Sequence, residues 1–373
     1  MLAALWWTSL GLLVYVLALY PALIFLLSRL RAPSRPDPPN PLPLVTVLIP
    51  LYNEEGVIEE KLANTLALDY PADRLEIIFA SDGSTDRSVA RLRARPDSRV
   101  KVIDYPGNRG KVAVLNETVP RTKGDILLLT DASGILTPET LQAVVPHFSD
   151  PNVGCVCGIY HIFQKGRTRL DSAEHSYHGF EMLLRTWEGR FRTTLSGTGA
   201  LCAIRKSDYQ PLPEGAINED YILPARIALS GKRVLYEPDA NVYDRISTSL
   251  AEVFRRRIRI AYGNWQQLGY LKALLHPSRP YLAWVYVSHK LLRMAMPYLL
   301  IGLWMSSYGI DPRLFRVSSA GLVLLLVGGL AGLGLDRWFK AYNPLSVIAL
   351  IFLNGAAVFV GTAKFLFGRP VEW

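Results

Sequence analysis

Long apolar runs near both ends of the chain enclose a central section in which short apolar segments alternate with polar ones. Residues 2–27 contain no charged side chain, and about 20 apolar residues are enough for a helix to cross a bilayer. We therefore expect residues 1–28 to form a membrane-spanning helix. Because Arg29 and Arg31 follow this run, whereas a cleaved signal peptide has basic residues ahead of it, we interpret the run as a retained anchor with its N-terminus outside.

Three further apolar runs lie near the C-terminus, and residues 281–366 are therefore predicted to hold three more spanning helices. The runs cover residues 281–305, 317–335 and 341–363. Four spans would keep residues 28–280 on one side and leave both termini, including the tail 367–373, on the other. Basic residues beside the runs place the central section on the cytoplasmic face of the plasma (inner) membrane. A predicted inner loop contains Asp336, Arg337 and Lys340.

The first of these three runs carries His289, Lys290 and Arg293. Charged side chains within a span are costly and are commonly functional. Alternatively, the three residues lie at the cytoplasmic end of the helix and extend their polar ends to the membrane surface. The sequence leaves both interpretations open.

The central residues 44–248 predict an α/β domain, which follows a linker at 29–43 with six prolines between Pro33 and Pro43. Such a linker is extended and semi-rigid. Within the domain, β-branched and aliphatic runs predict strands, and the segments between them have helical spacing. The strands are expected at 45–49, 75–80, 100–103 and 126–129, with helices at 53–68, after Ser84 or Thr85 as a cap, and at 110–119. This alternation predicts a mostly parallel sheet.

Residues 249–280 predict an amphipathic helix, because apolar residues recur every three or four positions and arginines separate them. The apolar set is Leu250, Phe254, Ile258, Ala261, Trp265 and Leu268, and the arginines are Arg255, Arg256 and Arg259. Such a helix can lie in the membrane interface. We favour that position because spanning segments follow at once, and a surface helix of the α/β domain is the alternative.

Composition is consistent with a membrane protein that carries a soluble domain. Half of the 373 residues are hydrophobic and the net charge is +9, with the charge clustered beside the apolar runs. This arrangement favours a lipid surface and argues against nucleic acid as a partner. The spacing of Cys155, Cys157 and Cys202 indicates neither a disulfide framework nor a zinc site, and the first two are expected in the core.

Polar residues follow several predicted strands, at the edge where open α/β sheets bind ligands. Asp131 follows the strand at 126–129, and a carboxylate there can hold a divalent cation against a diphosphate. A second carboxylate would strengthen such a site, but position 133 is Ser133. Its hydroxyl could coordinate the cation directly or bind one of its waters.

Two other strand ends carry weaker signals. Asp82 can accept hydrogen bonds from a base or ribose, although Asp-Gly turns are common. Asn53 and Glu54 could join the same site or simply begin a helix. The basic loop that ends at Lys111 could bind a diphosphate through its amides and its lysine, and a solvated loop is the alternative.

Glu219 and Asp220 precede a helix that we predict over residues 221–229. Acidic residues are favoured at helix N-termini for electrostatic reasons. In the functional interpretation Asp220 is a general base, a role worth about 10²–10⁴ in rate. The sequence contains no P-loop, nucleophile elbow or His-Glu-x-x-His motif that would indicate another chemistry.

Taken together, six segments resemble glycosyltransferase family 2 in order and spacing over about residues 44–265. They are VTVLIPLYNEE, ASDGSTDRS, GNRGKVAVLNETV, DILLLTDAS, SGTGALCAIRK and INEDY. The resemblance implies the GT-A nucleotide-sugar-binding fold, with a Rossmann-like and mostly parallel sheet. The flanking apolar runs are similar to the membrane-integrated branch of polysaccharide synthases, which includes poly-β-1,6-N-acetylglucosamine, hyaluronan and cellulose synthases.

The resemblance also implies roles for individual residues. It assigns the nucleotide sugar, expected to be a UDP-sugar, to Asn53, Glu54, Asp82 and Lys111. Asp131 corresponds to the first aspartate of the DxD motif that binds Mg²⁺ or Mn²⁺, and Ser133 replaces the last. Asp220, next to Glu219, corresponds to the base that deprotonates an acceptor hydroxyl in an inverting reaction.

Synthases of this branch carry Gln-x-x-Arg-Trp on an interfacial helix, where it holds the nucleotide and the acceptor end. Here Arg259 matches the arginine, Arg256 replaces the glutamine and Ile260 replaces the tryptophan. Trp265 is a candidate stacking residue, with a core or anchoring role as the alternative. Because the match is only partial, the sequence favours neither the addition of one or a few sugars nor polymer synthesis over the other.

The leading hypothesis is a metal-dependent, inverting glycosyltransferase that acts on a polysaccharide or lipid-linked acceptor hydroxyl. Two alternatives stay open. In the first, the acceptor is a polyprenyl phosphate, an anion that needs little base catalysis. In the second, the chain is an inactive nucleotide-sugar-binding subunit of an assembly, which the replacements at Ser133, Arg256 and Ile260 would suit. An export or assembly partner cannot be named from the sequence.

Overall fold

The computed structural model of the protein describes residues 1–32, 36–162, 169–244, 250–335 and 344–371. They divide into two compact units. The helical unit comprises residues 1–27, 164–184 and 247–373, and the sheet unit comprises residues 28–163 and 185–246. Residues 33–35 of the predicted linker and the predicted inner loop at Asp336, Arg337 and Lys340 lie outside the described residues.

The strands and helices are numbered in chain order. Strands β1 to β8 are Val45–Leu51, Leu75–Ser81, Val100–Asp104, Ile126–Leu129, Ile135–Leu136, Val153–Ile162, Cys202–Arg205 and Arg233–Asp244. Helices α1 to α13 are Leu2–Val14, Tyr20–Ser28, Ile58–Leu66, Ser88–Arg93, Lys111–Thr118, Thr140–Val144, Arg169–Phe191, Glu219–Leu229, Leu250–Tyr270, Pro280–Val285, Leu292–Tyr308, Pro312–Leu335 and Pro344–Leu366. Short π-helical segments, Tyr15–Leu19 and Tyr286–Leu291, join α1 to α2 and α10 to α11.

A single mixed sheet organises the sheet unit. Among the described residues its strand order is β3-β2-β1-β4-β7-β6-β8-β5. The neighbours β3, β2, β1 and β4 are parallel, as predicted. Strand β7 then runs antiparallel to β4 and to β6, β8 is parallel to β6, and β5 is antiparallel to β8. Four of the seven strand pairings in this sheet are therefore parallel, and each of the three antiparallel ones involves β7 or β5.

The centre of this sheet is apolar on both faces. Every residue of β1, β2 and β4 is buried, which is typical of strands that are covered by helices on both sides. The aliphatic runs in the sequence predict such strands, and the predicted strand at 126–129 agrees with β4 in both ends. The core therefore fixes the carboxyl ends of β1, β2 and β4 at one edge.

Helix boundaries differ more from the prediction than strand boundaries do. The helix expected at 53–68 begins only at Ile58, because Asn53 has a φ of 55° and turns the chain before the helix. The helix expected after Ser84 or Thr85 begins at Ser88. Neither predicted residue caps it, since the Asp86 carboxylate accepts the Ser88 N–H at 2.9 Å.

In the helical unit, three helices of the described residues are long and apolar enough to cross a membrane: Leu2–Ser28, Pro312–Ala331 and Val347–Leu366. The fourth predicted span, at 281–305, is helical through α10, the π segment and α11, but it does not reach the same apolarity. Its polar residues contact other helices of the unit. Tyr15 Oη, for example, lies 2.8 Å from Ser288 Oγ and accepts a hydrogen bond from Trp284 Nε1 at 2.7 Å.

Helix α9 is the predicted amphipathic helix, and it packs against the membrane-type helix α13. Trp265 stacks on Phe365 and donates to Thr362 Oγ1 at 2.9 Å. The two helices approach closely at Gly361, where a Cβ would lie 2.7 Å from that of Ala261. Trp265 thus has the packing role that the sequence offered as an alternative to sugar stacking.

Two of the three polar residues noted in the 281–305 span, His289 and Arg293, contact one carboxylate of the helical unit. Glu181 of α7 receives a contact from Arg293 and one from His289 Nε2 at 3.0 Å. The exposed fractions of these side chains are 8% for Glu181, 11% for His289 and 18% for Arg293. A buried ion pair therefore explains His289 and Arg293 better than extension to the membrane surface does.

Candidate active site

The candidate site lies in the sheet unit, where the carboxyl ends of the parallel strands meet. Asn53 follows β1, Asp82 follows β2 and Asp131 follows β4, all within two residues of the strand end. The Asp82 N–H donates to the Leu51 carbonyl at 2.9 Å, which ties the first two strand ends together. Adjacent parallel strands thus bring residues from distant sequence segments to one edge.

Asp82 organises the basic loop before α5. Its two carboxylate oxygens accept the backbone N–H groups of Arg109 at 2.9 Å and Gly110 at 2.7 Å. The sequence suggested that amides of this loop bind a diphosphate, but these two amides bind Asp82. Position 83, in the turn after Asp82, requires glycine. Gly83 has a φ of 70°, and a Cβ there would lie 2.5 Å from the Gly107 carbonyl carbon.

Asn53 holds a neighbouring turn in the same way. Its side-chain oxygen accepts the N–H of Thr85 at 2.8 Å, and its own N–H donates to Ser84 Oγ at 3.1 Å. Glu54 continues this contact through its N–H, which donates to Ser88 Oγ at 2.8 Å. These contacts join the ends of β1 and β2, so a contact from Asn53 or Glu54 to a nucleotide stays a prediction.

Lys111 is the central cation of the site. Its ammonium group lies 2.7 Å from Asp131 Oδ1 and 2.8 Å from Glu219 Oε1. Burial would lower the pKa of Lys111, but these two carboxylates outweigh burial and raise the pKa above its ordinary value. Lys111 therefore stays protonated and joins three segments that lie far apart in the sequence.

Glu219 and Asp220 lie in the first turn of α8, not in a loop before it as predicted. Burial raises the pKa of Glu219, with the Asp220 charge adding to the shift and Lys111 opposing it. The Asp220 side chain is exposed, and its carbonyl accepts the Gly197 N–H at 2.8 Å. A salt-bridged carboxylate and an accessible one thus stand side by side.

One cavity collects these groups. Its polar lining includes Lys111, Thr130, Glu219 and Asp220, and its apolar wall includes Leu115 and Leu129. Gly199 also lines it, and a Cβ at this position would lie 3.1 Å from Lys111 Nζ and 3.4 Å from Asp131 Oδ2. A larger residue there would press on the ion pair, so the site is built to leave space beside Lys111 and Asp131.

Lys61 supports the segment that carries Asp131, and sequence reasoning missed it. The side chain is fully buried, and its ammonium group donates to Thr130 Oγ1 at 2.9 Å and to the Gly134 carbonyl. One turn later on α3, Asn64 donates to the Leu136 carbonyl at 2.7 Å and accepts the Leu136 N–H at 2.9 Å. Helix α3 therefore holds residues 130–136 by hydrogen bonds near both ends of this segment.

Charge around this segment is mainly negative. Burial raises the pKa of Glu54, and the charges of Asp131 and Asp244 raise it further. Burial also lowers the pKa of Lys61 to about 7, although Asp131 and Asp244 oppose that shift. The sequence alone does not identify Lys61 as a residue that supports the site, since its contacts come from a segment about 70 residues away.

The donor set fits a hard divalent cation that shares its coordination with a ligand. Asp131 has a half-buried side chain, 37% exposed, and carboxylate oxygens are ligands that Mg²⁺ and Mn²⁺ accept. Among the described residues, Asp131 belongs to no group of three or more His, Cys, Asp and Glu side chains whose ligand atoms lie close together. Ser133 follows in the turn after Asp131, and coordination by Ser133 stays a prediction.

Two of the predicted site residues belong to the other unit. Arg256 and Arg259 lie on α9 of the helical unit, and their contact with a nucleotide remains a prediction. In the sheet unit, Lys111 connects Asp131 to Glu219, and Asp82 holds the loop that presents Lys111. Asp82, Lys111, Asp131 and Glu219 are therefore linked through hydrogen bonds and the loop before α5 at one edge of the sheet.

Comparison with known proteins gives a consistent result. The model of the family described as "Glycosyltransferase like family 2" matches residues 41–263. A probable glycosyltransferase, YdaM of Bacillus subtilis, is 32% identical over 241 residues, which cover 60% of this chain and 56% of YdaM. The poly-beta-1,6-N-acetyl-D-glucosamine synthase of Staphylococcus aureus is 28% identical over 232 residues, or 60% of this chain and 55% of the synthase.

The matched segments thus span little more than half the length of these curated relatives. Among solved structures, a mannosyltransferase from Pyrobaculum calidifontis, determined in complex with GDP-Man and Mn²⁺, has a TM-score of 0.73 at 24% identity. The alignment covers 99% of this chain and all of that one. At this identity the likeness supports the fold alone.

Proposed function

Because the chain belongs to glycosyltransferase-like family 2, we propose that its sheet unit transfers a sugar from a nucleoside-diphosphate sugar to an acceptor hydroxyl. One observation carries this proposal. Lys111 binds Asp131 and Glu219 at once, and Asp220 lines the same cavity. A cation for the diphosphate and an accessible carboxylate for the acceptor are thereby held next to each other.

In the proposed reaction the sheet edge binds the nucleotide part of the donor. Asp82, Asn53 and Glu54 stand at the strand ends for this purpose, and Asp82 keeps the loop before Lys111 in place. When a diphosphate enters, its charge competes with Asp131 and Glu219 for Lys111. The lysine then gives the diphosphate a charge-assisted hydrogen bond.

Asp220 acts as the general base in this proposal. The acceptor hydroxyl gives its proton to Asp220 as its oxygen attacks the anomeric carbon from the face opposite the diphosphate. The bond from the anomeric carbon to the diphosphate oxygen breaks, and the electron pair leaves with the diphosphate. One displacement of this kind inverts the anomeric configuration. Lys111 holds Glu219, so the base role falls to the exposed Asp220.

We propose Mg²⁺ or Mn²⁺ as the cofactor, with Asp131 as the protein ligand and Ser133 as a weaker second one. When bound, such a cation neutralises the charge that develops on the departing diphosphate. The Mn²⁺ in the Pyrobaculum calidifontis enzyme supports testing that metal first. Lys111 shares the task, because its charge already faces Asp131.

The membrane setting and the substrates belong to the proposal as well. Three apolar helices suggest a multi-pass protein of the plasma (inner) membrane, with the sheet unit on the cytoplasmic side where nucleotide sugars are made. A lipid-linked or polysaccharide acceptor suits that location, and the similarity to the Staphylococcus aureus synthase favours exopolysaccharide synthesis. The donor that we propose for it is a UDP-sugar. Arg256 and Arg259 would then contact the nucleotide from α9.

A donor screen tests the proposal. Detergent-purified protein is incubated with Mn²⁺ and one of several UDP- or GDP-linked sugars, with membrane lipid extract as the acceptor source. We expect one donor to release its nucleoside diphosphate, and mass analysis then distinguishes a single added sugar from a ladder. Measurable donor binding with no release from any donor would favour the inactive subunit instead.

A further inference from the structure

Three cysteine thiols form a cluster in the sheet unit, which the sequence spacing does not indicate. Cys155 and Cys157 lie two residues apart on β6 and therefore face the same side of the sheet, while Cys202 begins the antiparallel neighbour β7 directly opposite Cys157. The sulfur atoms lie 3.7 Å apart for Cys155 and Cys157, 3.5 Å for Cys155 and Cys202, and 3.7 Å for Cys157 and Cys202. Pairing of the strands therefore creates a triangle of sulfurs.

We propose that Cys155, Cys157 and Cys202 form a binding site for one thiophilic divalent cation of the Zn²⁺ or Cd²⁺ class. A tetrahedral zinc site with Zn–S bonds of about 2.3 Å has sulfur–sulfur edges of about 3.8 Å. The three measured distances are close to one face of such a tetrahedron. The cation can then bind all three sulfurs with only small shifts of the two strands, and its fourth position stays open.

The surroundings suit an anionic cluster. Three thiols that bind a divalent cation release three protons to solvent and leave a net charge of −1, which needs a cation nearby. Arg185 supplies one, since its guanidinium donates to the Gly197 carbonyl at 3.1 Å and a Cβ at Gly197 would lie 3.0 Å from Cys157 Sγ.

The cluster borders the cavity of the candidate active site. Cys155 and Cys157 are fully buried, but Cys202 lines the cavity that holds Lys111, Glu219 and Asp220. Gly197 lies between the cluster and α8, because a Cβ there would come within 3.0 Å of both Cys157 Sγ and the Asp220 carbonyl. A cation at the sulfurs would therefore fix β6, β7 and this connection to Asp220.

This site is distinct in chemistry from the one proposed at Asp131. Thiolates prefer soft and borderline cations, whereas Mg²⁺ and Mn²⁺ prefer oxygen ligands. Millimolar Mn²⁺ should consequently leave a cation on the cysteines in place. The thiol site can be measured without substrate, so its test does not depend on the proposed sugar transfer.

Titration of the reduced, detergent-purified chain with Cd²⁺ tests the proposal through the thiolate-to-cadmium absorption band. We expect the band to saturate at one Cd²⁺ per chain, to withstand excess Mn²⁺, and to accompany a rise in melting temperature, because a cation that binds the folded state stabilises it. Each of Cys155→Ser, Cys157→Ser and Cys202→Ser should weaken binding by more than the roughly 10–100-fold that loss of an outer hydrogen-bond partner costs.

The melting temperatures of the three serine variants without metal show whether each is folded, and serine changes the side-chain volume little. The chain has only these three cysteines, so the single variants report on the whole thiol content. Three results would overturn the proposal: no band at all, three independent sites of which each variant removes one third, or displacement of Cd²⁺ by Mn²⁺.

Discussion

The two units each contain a cluster of charged side chains, and the two clusters have opposite balances. In the sheet unit, the single ammonium group of Lys111 faces Asp131 and Glu219, with Asp220 close by. In the helical unit, the single carboxylate of Glu181 faces both Arg293 and His289. The first cluster has more carboxylates than cations, and the second has more candidate cations than carboxylates.

Exposure separates the clusters further. Lys111 and Asp131 are 28% and 37% exposed and Lys111 lines a cavity, whereas Glu181 is 8% exposed among packed helices. An accessible cluster with excess negative charge can still bind a cation and a diphosphate. A buried ion pair stabilises the fold instead, because removal of one partner would leave the other charge buried and uncompensated. The difference indicates that charge alone does not mark a site, whereas charge that is both unbalanced and accessible does.

Among the tests that compare the two clusters, we expect the largest effect from replacing the exposed carboxylate of Asp220. Asp220→Asn keeps the shape of the side chain and removes the base, so nucleoside diphosphate release should fall by about 10²–10⁴. Donor binding, measured by calorimetry, should stay close to that of the unchanged protein. If transfer to a supplied polyprenyl phosphate persisted, the acceptor would be the anion and the base assignment would be wrong.

In the helical unit the large effect should be on stability. Glu181→Gln leaves Arg293 buried without its carboxylate, and loss of one partner of a buried pair costs about 3–5 kcal/mol. We expect a lower melting temperature in detergent while donor binding by the folded protein is retained. The double variant Glu181→Leu with Arg293→Met is the control, since it removes the carboxylate and the guanidinium together, leaves no unpaired charge at position 293 and should restore part of the loss. A change in donor affinity with unchanged stability would break the distinction between the clusters.

A smaller, pH-dependent effect is expected from Lys61, which braces the Asp131 segment. Its pKa is lowered to about 7 in the folded state from 10.5, so between these values the unfolded chain binds more protons. Stability should therefore rise with pH above about 7, by up to about 1.4 kcal/mol per pH unit. Lys61→Met should flatten this rise in melting temperature between pH 7 and 9, and equal slopes for both proteins would contradict it.

The smallest effect concerns Ser133. Ser133→Asp adds the carboxylate that the DxD motif has at this position, so Mn²⁺ should support donor binding at a lower concentration, by about tenfold or 1.4 kcal/mol. Ser133→Ala is the matched control, and it should weaken Mn²⁺ dependence slightly. If aspartate and alanine behaved alike, position 133 would lie outside the metal site.

The sequence was most informative where burial and pattern coincide. The aliphatic run at 126–129 predicts β4 to the residue, and the strand-end residues Asp82 and Asp131 stand at the predicted sheet edge. The segment after β1 was harder, because the backbone of Asn53 depends on contacts with Thr85 and Asp86. Helical spacing alone extends the helix over that turn.

Contacts between distant segments could not be predicted from pattern at all. Lys61 and Thr130 are 69 residues apart, and Glu181 and His289 are 108 apart. The sulfur triangle likewise needs the antiparallel pairing of β6 with β7, which the alternation of strands and helices in the sequence does not predict. Motif spacing identified the acidic residues of the candidate site, but the residues that support them emerge only from the folded chain.

The central claim is that the sheet-unit cavity binds a nucleotide sugar through a cation at Asp131. The most direct test is calorimetric titration of UDP- and GDP-linked sugars into the protein with and without Mn²⁺, repeated for Asp131→Asn. As a matched control, Asp104→Asn removes an exposed carboxylate at the end of β3, on the same sheet. We predict Mn²⁺-dependent binding of one donor that is kept in Asp104→Asn and lost in Asp131→Asn. Equal Mn²⁺-dependent binding by Asp131→Asn and the unchanged protein would contradict the account.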